Sequence, residues 1–167
     1  MKRGFDMNFI IREMLIEDTK QVQDVAKKSW NATYEGIIPN SIQENFLKGA
    51  YNDEIMEKRL SHSLLLVAEA GNKIVGFANF SPVNEQGQTE LSAIYLYPEY
   101  QGHGIGSALF DKGITMLRNL KEVHLDVEKD NTIGTNFYKA KGFKIVDEYD
   151  DNFDGHILKT VRMVLKI

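Results

Sequence analysis

Residues 94–106 read Ile94-Tyr95-Leu96-Tyr97-Pro98-Glu99-Tyr100-Gln101-Gly102-His103-Gly104-Ile105-Gly106. The apolar and aromatic run to Tyr97 reads as a strand, and Pro98 stops it. The glycines that follow can expose successive backbone N–H groups. A helix opens at the same place, with apolar positions Ile105, Leu109, Met116, Leu117 and Leu120. A helix N-terminus carries partial positive charge and unpaired donors, so the junction suits a phosphate or pyrophosphate. Neither standard phosphate motif fits. The dinucleotide fingerprint needs a third glycine where Ser107 stands, and the P-loop needs a Gly-Lys-Ser/Thr that the chain lacks. A plain glycine-rich strand-to-helix turn is the competing reading.

Outward from this junction the pattern changes character. Upstream, Leu64 to Ala70, the turn pair Gly71-Asn72 and Lys73 to Phe80 read as a hairpin. A turn around Asn84 to Gln88 leads into a strand over Thr89 to Tyr97. Further back, Phe9 to Met14 reads as a short strand. Asp18 stands where it can cap a helix running to about Tyr34, and two shorter helices follow, one entered at Pro39 and one capped by Asp53. Downstream the order alternates: a helix to about Leu120, a strand over Val123 to Val127, a helix from Asn131 to Lys141 closed by Gly142, then strands over Phe143 to Tyr149 and Ile157 to Ile167 with an acidic loop between them. Antiparallel strands followed by a β-α-β-α-β half imply an α/β chain of mixed α+β character. A central mixed, mostly antiparallel twisted sheet of about seven strands is expected, flanked by helices on both faces, in one domain over 1–167.

The second informative stretch is Asn131-Thr132-Ile133-Gly134-Thr135-Asn136-Phe137-Tyr138-Lys139-Ala140-Lys141-Gly142-Phe143. On a helix, Ile133, Phe137 and Ala140 share one face and are expected in the core. Asn131, Thr135 and Tyr138 share another, a polar stripe with a phenol facing the sheet edge that carries the glycine turn. Taken in isolation, Tyr138 reads as a core aromatic with a satisfied hydroxyl.

Gln101-Gly102-His103-Gly104-Ile105-Gly106 after Ile94-Tyr95-Leu96-Tyr97-Pro98, with N-x6-Y-x3-G-F downstream, resembles the GCN5-related N-acetyltransferase (GNAT) superfamily. Its cofactor turn [QR]-x-x-G-x-[GA] is matched by Gln101, Gly104 and Gly106. Two departures stand out: Gly134 where a small alanine is common, and Asn136 where an apolar residue is frequent. The resemblance covers essentially the whole chain and implies an acetyl-CoA-dependent N-acyltransferase with acetyl-CoA as co-substrate and no metal. Acetyl-CoA would lie between the strand ending near Leu96 and the strand 123–127. Backbone amides from Gln101 through Gly102, His103, Gly104, Ile105 and Gly106 to Ser107 would hold the pyrophosphate. The main chain of Ile94 and Leu96 would pair with the pantetheine arm, Asn131 would hydrogen-bond it, and Tyr138 would protonate the leaving thiolate. Tyr95 would also line the site.

Chemistry agrees with these roles. Pyrophosphate wants clustered N–H donors, and pantetheine amides can continue a strand ladder. A thiol near pKa 8.5 leaves with modest help from a phenol near 10. An alkylammonium acceptor must first lose a proton, and Glu90 is the candidate base, directly or through water, unless it is a solvated strand-end glutamate. Alternation sends Glu90, Ser92 and Ile94 to one face unless a bulge intervenes. Trp30 and Tyr34 lie four apart in Trp30-Asn31-Ala32-Thr33-Tyr34-Glu35-Gly36-Ile37-Ile38-Pro39 and are either walls of the acceptor pocket or a core aromatic pair. That pattern is similar to bacterial members that include polyamine-type acetyltransferases.

Composition narrows the alternatives. The chain has 167 residues and no cysteine, which removes a disulfide scaffold, a thiolate metal site and a cysteinyl acyl-enzyme. Direct attack of a bound amine is then the simplest mechanism. His62, His124 and His156 show no metal spacing. With 20 Lys and Arg against 24 Asp and Glu, the net charge of −4 speaks against nucleic acid and for a cationic partner. Five of the acids fall in 147–155. No apolar run approaches a membrane span, and the start Met1-Lys2-Arg3-Gly4-Phe5-Asp6 lacks an apolar signal core, so a cytoplasmic protein acting on a small amine is expected. Relatives of this kind are often homodimers. A protein N-terminal acetyltransferase and a non-catalytic acyl-CoA-binding module are the alternatives.

Overall fold

The computed structural model describes residues 7–167; the opening Met1–Asp6 stretch considered above lies outside the described residues. Seven strands form one sheet: β1 (Ile10–Glu13), β2 (Leu64–Ala70), β3 (Lys73–Phe80), β4 (Gln88–Leu96), β5 (Glu122–Glu128), β6 (Lys144–Phe153) and β7 (His156–Lys166), in the order β1-β2-β3-β4-β5-β7-β6. Every neighbouring pair is antiparallel except β4 with β5. The helices are α1 (Thr19–Tyr34), α2 (Asn40–Tyr51), α3 (Asp53–His62), α4 (Ile105–Met116) and α5 (Thr132–Ala140). This is the expected mixed sheet of seven strands in a single α/β domain.

Side-chain alternation divides the helices between the two faces. On β3, Phe77 packs edge-on against Tyr51 of α2 and Asn79 accepts from Arg59 of α3. Gly76 and Phe80 point the other way, where Leu109 and Phe110 of α4 lie. The core is therefore two-layered around the sheet, with Phe77, Phe80, Leu66, Ile105, Leu109 and Leu125 almost wholly buried.

Several local expectations change. Asp18 does not cap α1: its carboxylate accepts from Arg12 at 2.8 and 3.1 Å and from the Leu15 amide at 2.8 Å, and the guanidinium holds its pKa down. It ties the β1–α1 corner instead. Asn52, one residue before Asp53, caps α3 by accepting from the Ile55 amide at 2.9 Å. α4 stops at Met116 because Leu117 turns extended, short of Leu120. The acidic stretch 147–155 is not a loop. It is mostly strand β6, closed on β7 by a turn with Asp154 and Gly155 both at positive φ. Its acids find partners, Asp150 with Lys159 across on β7 at 2.9 Å and Glu148 with Lys129, just past the end of β5, at 2.8 Å. A strand reading was hidden because five acids lower apparent β-propensity, yet an edge strand tolerates charge. Among the described residues, no helix is long and apolar enough to cross a membrane, and no three His, Asp or Glu side chains gather as a metal site.

Candidate active site

β4 and β5 run parallel but pair over only three residues, Gln88 with Glu122, Thr89 with Val123 and Glu90 with His124. Beyond Glu90 the strands splay, while β5 stays paired to β7 as far as Glu128. The outer edge of β4 from Leu91 onward is thereby released from the sheet. A ligand with amide groups can use such an edge as a strand would. The opening lies at the carboxyl ends of the two parallel strands, the usual place for a ligand in an open sheet of this kind.

A cleft of about 670 Å³ occupies the splay, walled by Tyr34 of α1, Ile94 and Leu96 of β4, the glycine turn, and Asn131 and Tyr138 at α5. The turn has a physical reason for its glycines. Gly102 and Gly104 sit at φ +81° and +83°, the left-handed region that a side chain disfavours. Gly104 is the residue preceding α4, and no side chain caps that helix. The first-turn amides of Ile105, Gly106 and Ser107 are left to a ligand or solvent, with the helix dipole behind them. This cradle suits a pyrophosphate.

The expected residues divide. Ile94, Tyr95, Leu96, Gln101, Gly102, Gly104, Gly106, Ser107, Asn131, Tyr138 and Tyr34 all line the cleft. Ile105 is wholly buried, so only its amide can serve, and His103 stands exposed on the turn outside the lining. Trp30 is also outside the lining. It is buried, stacks on Phe46 at 4.2 Å and donates Nε1–H to the Tyr95 hydroxyl at 3.0 Å, so it fixes a wall residue from behind. Burial raises the Tyr138 phenol well above its ordinary range, and the neighbouring Tyr95 hydroxyl adds to it.

Glu90 also lies outside the lining. Arg162 holds it bidentate, Nη2 to Oε1 at 2.8 Å and Nη1 to Oε2 at 2.9 Å, and reaches Asp126 at 3.2 Å. A bulge at Ser92 resets the alternation, because Asn79 pairs with Ala93 and Phe80 with Leu91. Glu90 therefore shares the α1–α3 face with Tyr95, not with Ile94.

On α5 the two expected stripes hold only in part: Phe137 packs against the core and Asn131 and Tyr138 face the cleft, as expected, but three other positions do not follow. Ile133 is 68% exposed and Ala140 is exposed, while Thr135 is buried and Tyr138 packs on Phe143. Ile133 instead borders the cleft. Asn131 caps α5, accepting from the Gly134 amide at 2.9 Å. A Cβ on Gly134 would come within 2.7 Å of the Asn131 amide nitrogen, which accounts for glycine there. Asn131→Ala is expected to destabilise the protein by about 1 kcal/mol. Asn131→Asp retains the cap and is expected to stay within a few tenths. Paired chaotrope titrations test this, and an equal loss in both variants would sink the capping role.

Sequence reasoning passed over Glu128, the last residue of β5. It is 6% exposed, its Oε2 accepts from the Asp130 amide at 2.8 Å, and its Oε1 is buried without a partner. Burial pushes its pKa up. No motif marks this position; only its place before Asn131 set it apart.

The acetyltransferase (GNAT) family model matches residues 24–143. The chain is 30% identical over 155 residues to spermidine N(1)-acetyltransferase of Thermoplasma acidophilum, covering 88% of this chain and 95% of that protein. It is also similar to the structure of the PaiA N-acetyltransferase from Thermoplasma acidophilum in complex with coenzyme A, with a TM-score of 0.83, 28% identity, and coverage of 96% of this chain and 100% of that one. The fold alone is shared with the ribosomal-protein-S18-alanine N-acetyltransferase of Escherichia coli, TM-score 0.72 at 19% identity, covering 96% and 94%.

Proposed function

From the premise that the chain belongs to the acetyltransferase (GNAT) family and is an acetyl-CoA-dependent N-acyltransferase, we propose that it acetylates a small primary amine of polyamine type in a ternary complex. The observation that carries this is the cleft itself. An uncapped helix N-terminus stands at one end, an unpaired β4 edge runs along it, and the half-buried Tyr138 phenol lines it. The similarity to a spermidine acetyltransferase over nearly its full length supports the acceptor class.

Acetyl-CoA brings an acyl group activated as a thioester. The amides from Gln101 to Ser107 hold its pyrophosphate, and the main chain of Ile94 and Leu96 orients its pantetheine amides. Asn131 contributes its remaining amide hydrogens from the opposite wall. Tyr138 keeps its proton at Oη through neutral pH and gives it to the departing sulfur. Tyr34, with Tyr95 buttressed by Trp30, walls the acceptor. Glu90 can serve as base only through a water, since both its oxygens are engaged by Arg162. The chain has no cysteine, so no cysteinyl acyl-enzyme forms.

The test is a thiol-release screen with acetyl-CoA against monoamines, polyamines and peptide N-termini. Polyamines are expected to give the largest kcat/KM. Turnover of peptides alone would replace the small-amine reading with N-terminal acetylation. Acetyl-CoA binding with no thiol release for any acceptor would make the fold a binding module.

A further inference from the structure

Glu128 is a carboxylate with one oxygen in use and one left over. Buried polar atoms without partners are rare, and each one asks for an occupant. The free Oε1 cannot be explained by the turn, which Oε2 already stabilises through the Asp130 amide, with the Glu128 carbonyl accepting from Asn131 at 3.0 Å. Pairing of Glu128 with Thr160 on β7, and of Asp126 with Arg162, sends the side chain to the α1–α3 face. On that face its charge reaches Tyr34, a wall of the cleft. The Tyr34 hydroxyl is raised by burial first, then by the Tyr95 and Tyr138 hydroxyls, with the Glu128 carboxylate adding to them. Glu128 lies just behind the lining, two residues before Asp130 and three before Asn131, which both face the cleft, whereas Glu90 is closed off by its guanidinium.

We infer that Glu128 is the carboxylate that receives the acceptor's ammonium group. Oε1 accepts a hydrogen bond from it and then its proton. The N–H bond breaks, its electron pair stays on nitrogen as the nucleophilic lone pair, and the proton ends on Oε1. This rests on the amine-acetylation reading above. A carboxylate removed from water holds a proton more readily, which suits a base working near neutrality. The charged or titratable groups facing it are Tyr34 from α1, and Lys129 and Asp130 from its own turn. Lys129 is paired with Glu148, and the facing β7 residue, Thr160, does not titrate.

The experiment compares wild type with Glu128→Gln, which preserves shape and the acceptor for Asp130. Steady-state kinetics with spermidine across pH are joined by calorimetric binding of spermidine to the enzyme–CoA complex, acetyl-CoA affinity and the thermal midpoint. Expected are a fall in kcat/KM for the amine of roughly 10²–10⁴-fold, loss of its acidic limb, and amine affinity lower by about tenfold or more. Acetyl-CoA affinity and the midpoint should stay near wild type. Formate should restore part of the rate to Glu128→Ala by occupying the vacated space. A Gln variant within about threefold of wild type overturns the inference, leaving amine acetylation intact. So does a variant that loses acetyl-CoA binding in step with turnover, which would make Glu128 a prop for the turn. A wild-type enzyme that acetylates no amine overturns the parent reading, and this one with it.

Discussion

Tyr138→Phe is expected to lower kcat by roughly 10²–10⁴-fold, the usual contribution of a positioned general acid. The ring stays, and with it the edge contacts to Phe137 at 5.5 Å and Phe143 at 5.6 Å, so the fold and the cleft wall are expected to be unchanged. Only the hydroxyl is lost, and acetyl-CoA affinity should move little. The pH dependence carries the sign. Burial raises the phenol, so the protonated, competent form persists through neutral pH and is lost only in strongly alkaline solution. The wild type should therefore hold its kcat to high pH, and the Phe variant should lack whatever alkaline limb the wild type shows. Single-turnover measurements at saturating acetyl-CoA and amine provide the check. A loss smaller than about tenfold would remove Tyr138 from the acid role.

The largest expected effect on stability comes from the α4–β3 contact. Gly113 faces Phe80 so closely that a Cβ built on it would lie 2.2 Å from the ring. Phe80 is wholly buried and also packs on Phe110 at 6.3 Å between centroids, so the ring has nowhere to move. Gly113→Ala gains helix propensity of about 1 kcal/mol but forces overpacking that costs about 1–3 kcal/mol or more. Because the contact is so short the cost falls at the upper end, for a net loss of up to about 2 kcal/mol and a Tm lower by up to roughly 4–8 °C for a chain of this size. Phe80→Leu alone also destabilises by leaving space. The double variant should be less destabilised than the sum of the two, because each change relieves the other. Simple additivity in thermal melts of the four proteins would show that the clash is absorbed elsewhere.

How far the residues themselves reveal this architecture depends on how local each signal is. The hairpin β2–β3, the strand–turn–helix at 94–106 and the start of α5 each rest on contiguous patterns, and all appear where expected. Helix ends were less legible: Asn52 rather than Asp53 caps α3, because either side chain can cap and only the backbone geometry selects one. The acidic stretch misled for a related reason. A charged edge strand and a charged loop look alike until a partner strand, here β7, is known to pair with it.

The site shows the same division. The glycine turn, Asn131 and Tyr138 form one constellation that could be read directly, since each depends on a short motif. The bulge at Ser92, the closure of Glu90 by Arg162 from 72 residues away, and the free oxygen of Glu128 could not. Nor could the departures on α5, where Ile133 borders the cleft and Thr135 goes inside.

By itself the sequence determined the order of elements, the anion-binding turn and the absence of a cysteine nucleophile, because these follow from local propensity, backbone conformation and residue chemistry. Only the tertiary structure decided which carboxylate is bound and which is free. A carboxylate's role depends on its burial and on partners brought from distant strands, and these exist only once β4, β5 and β7 lie side by side.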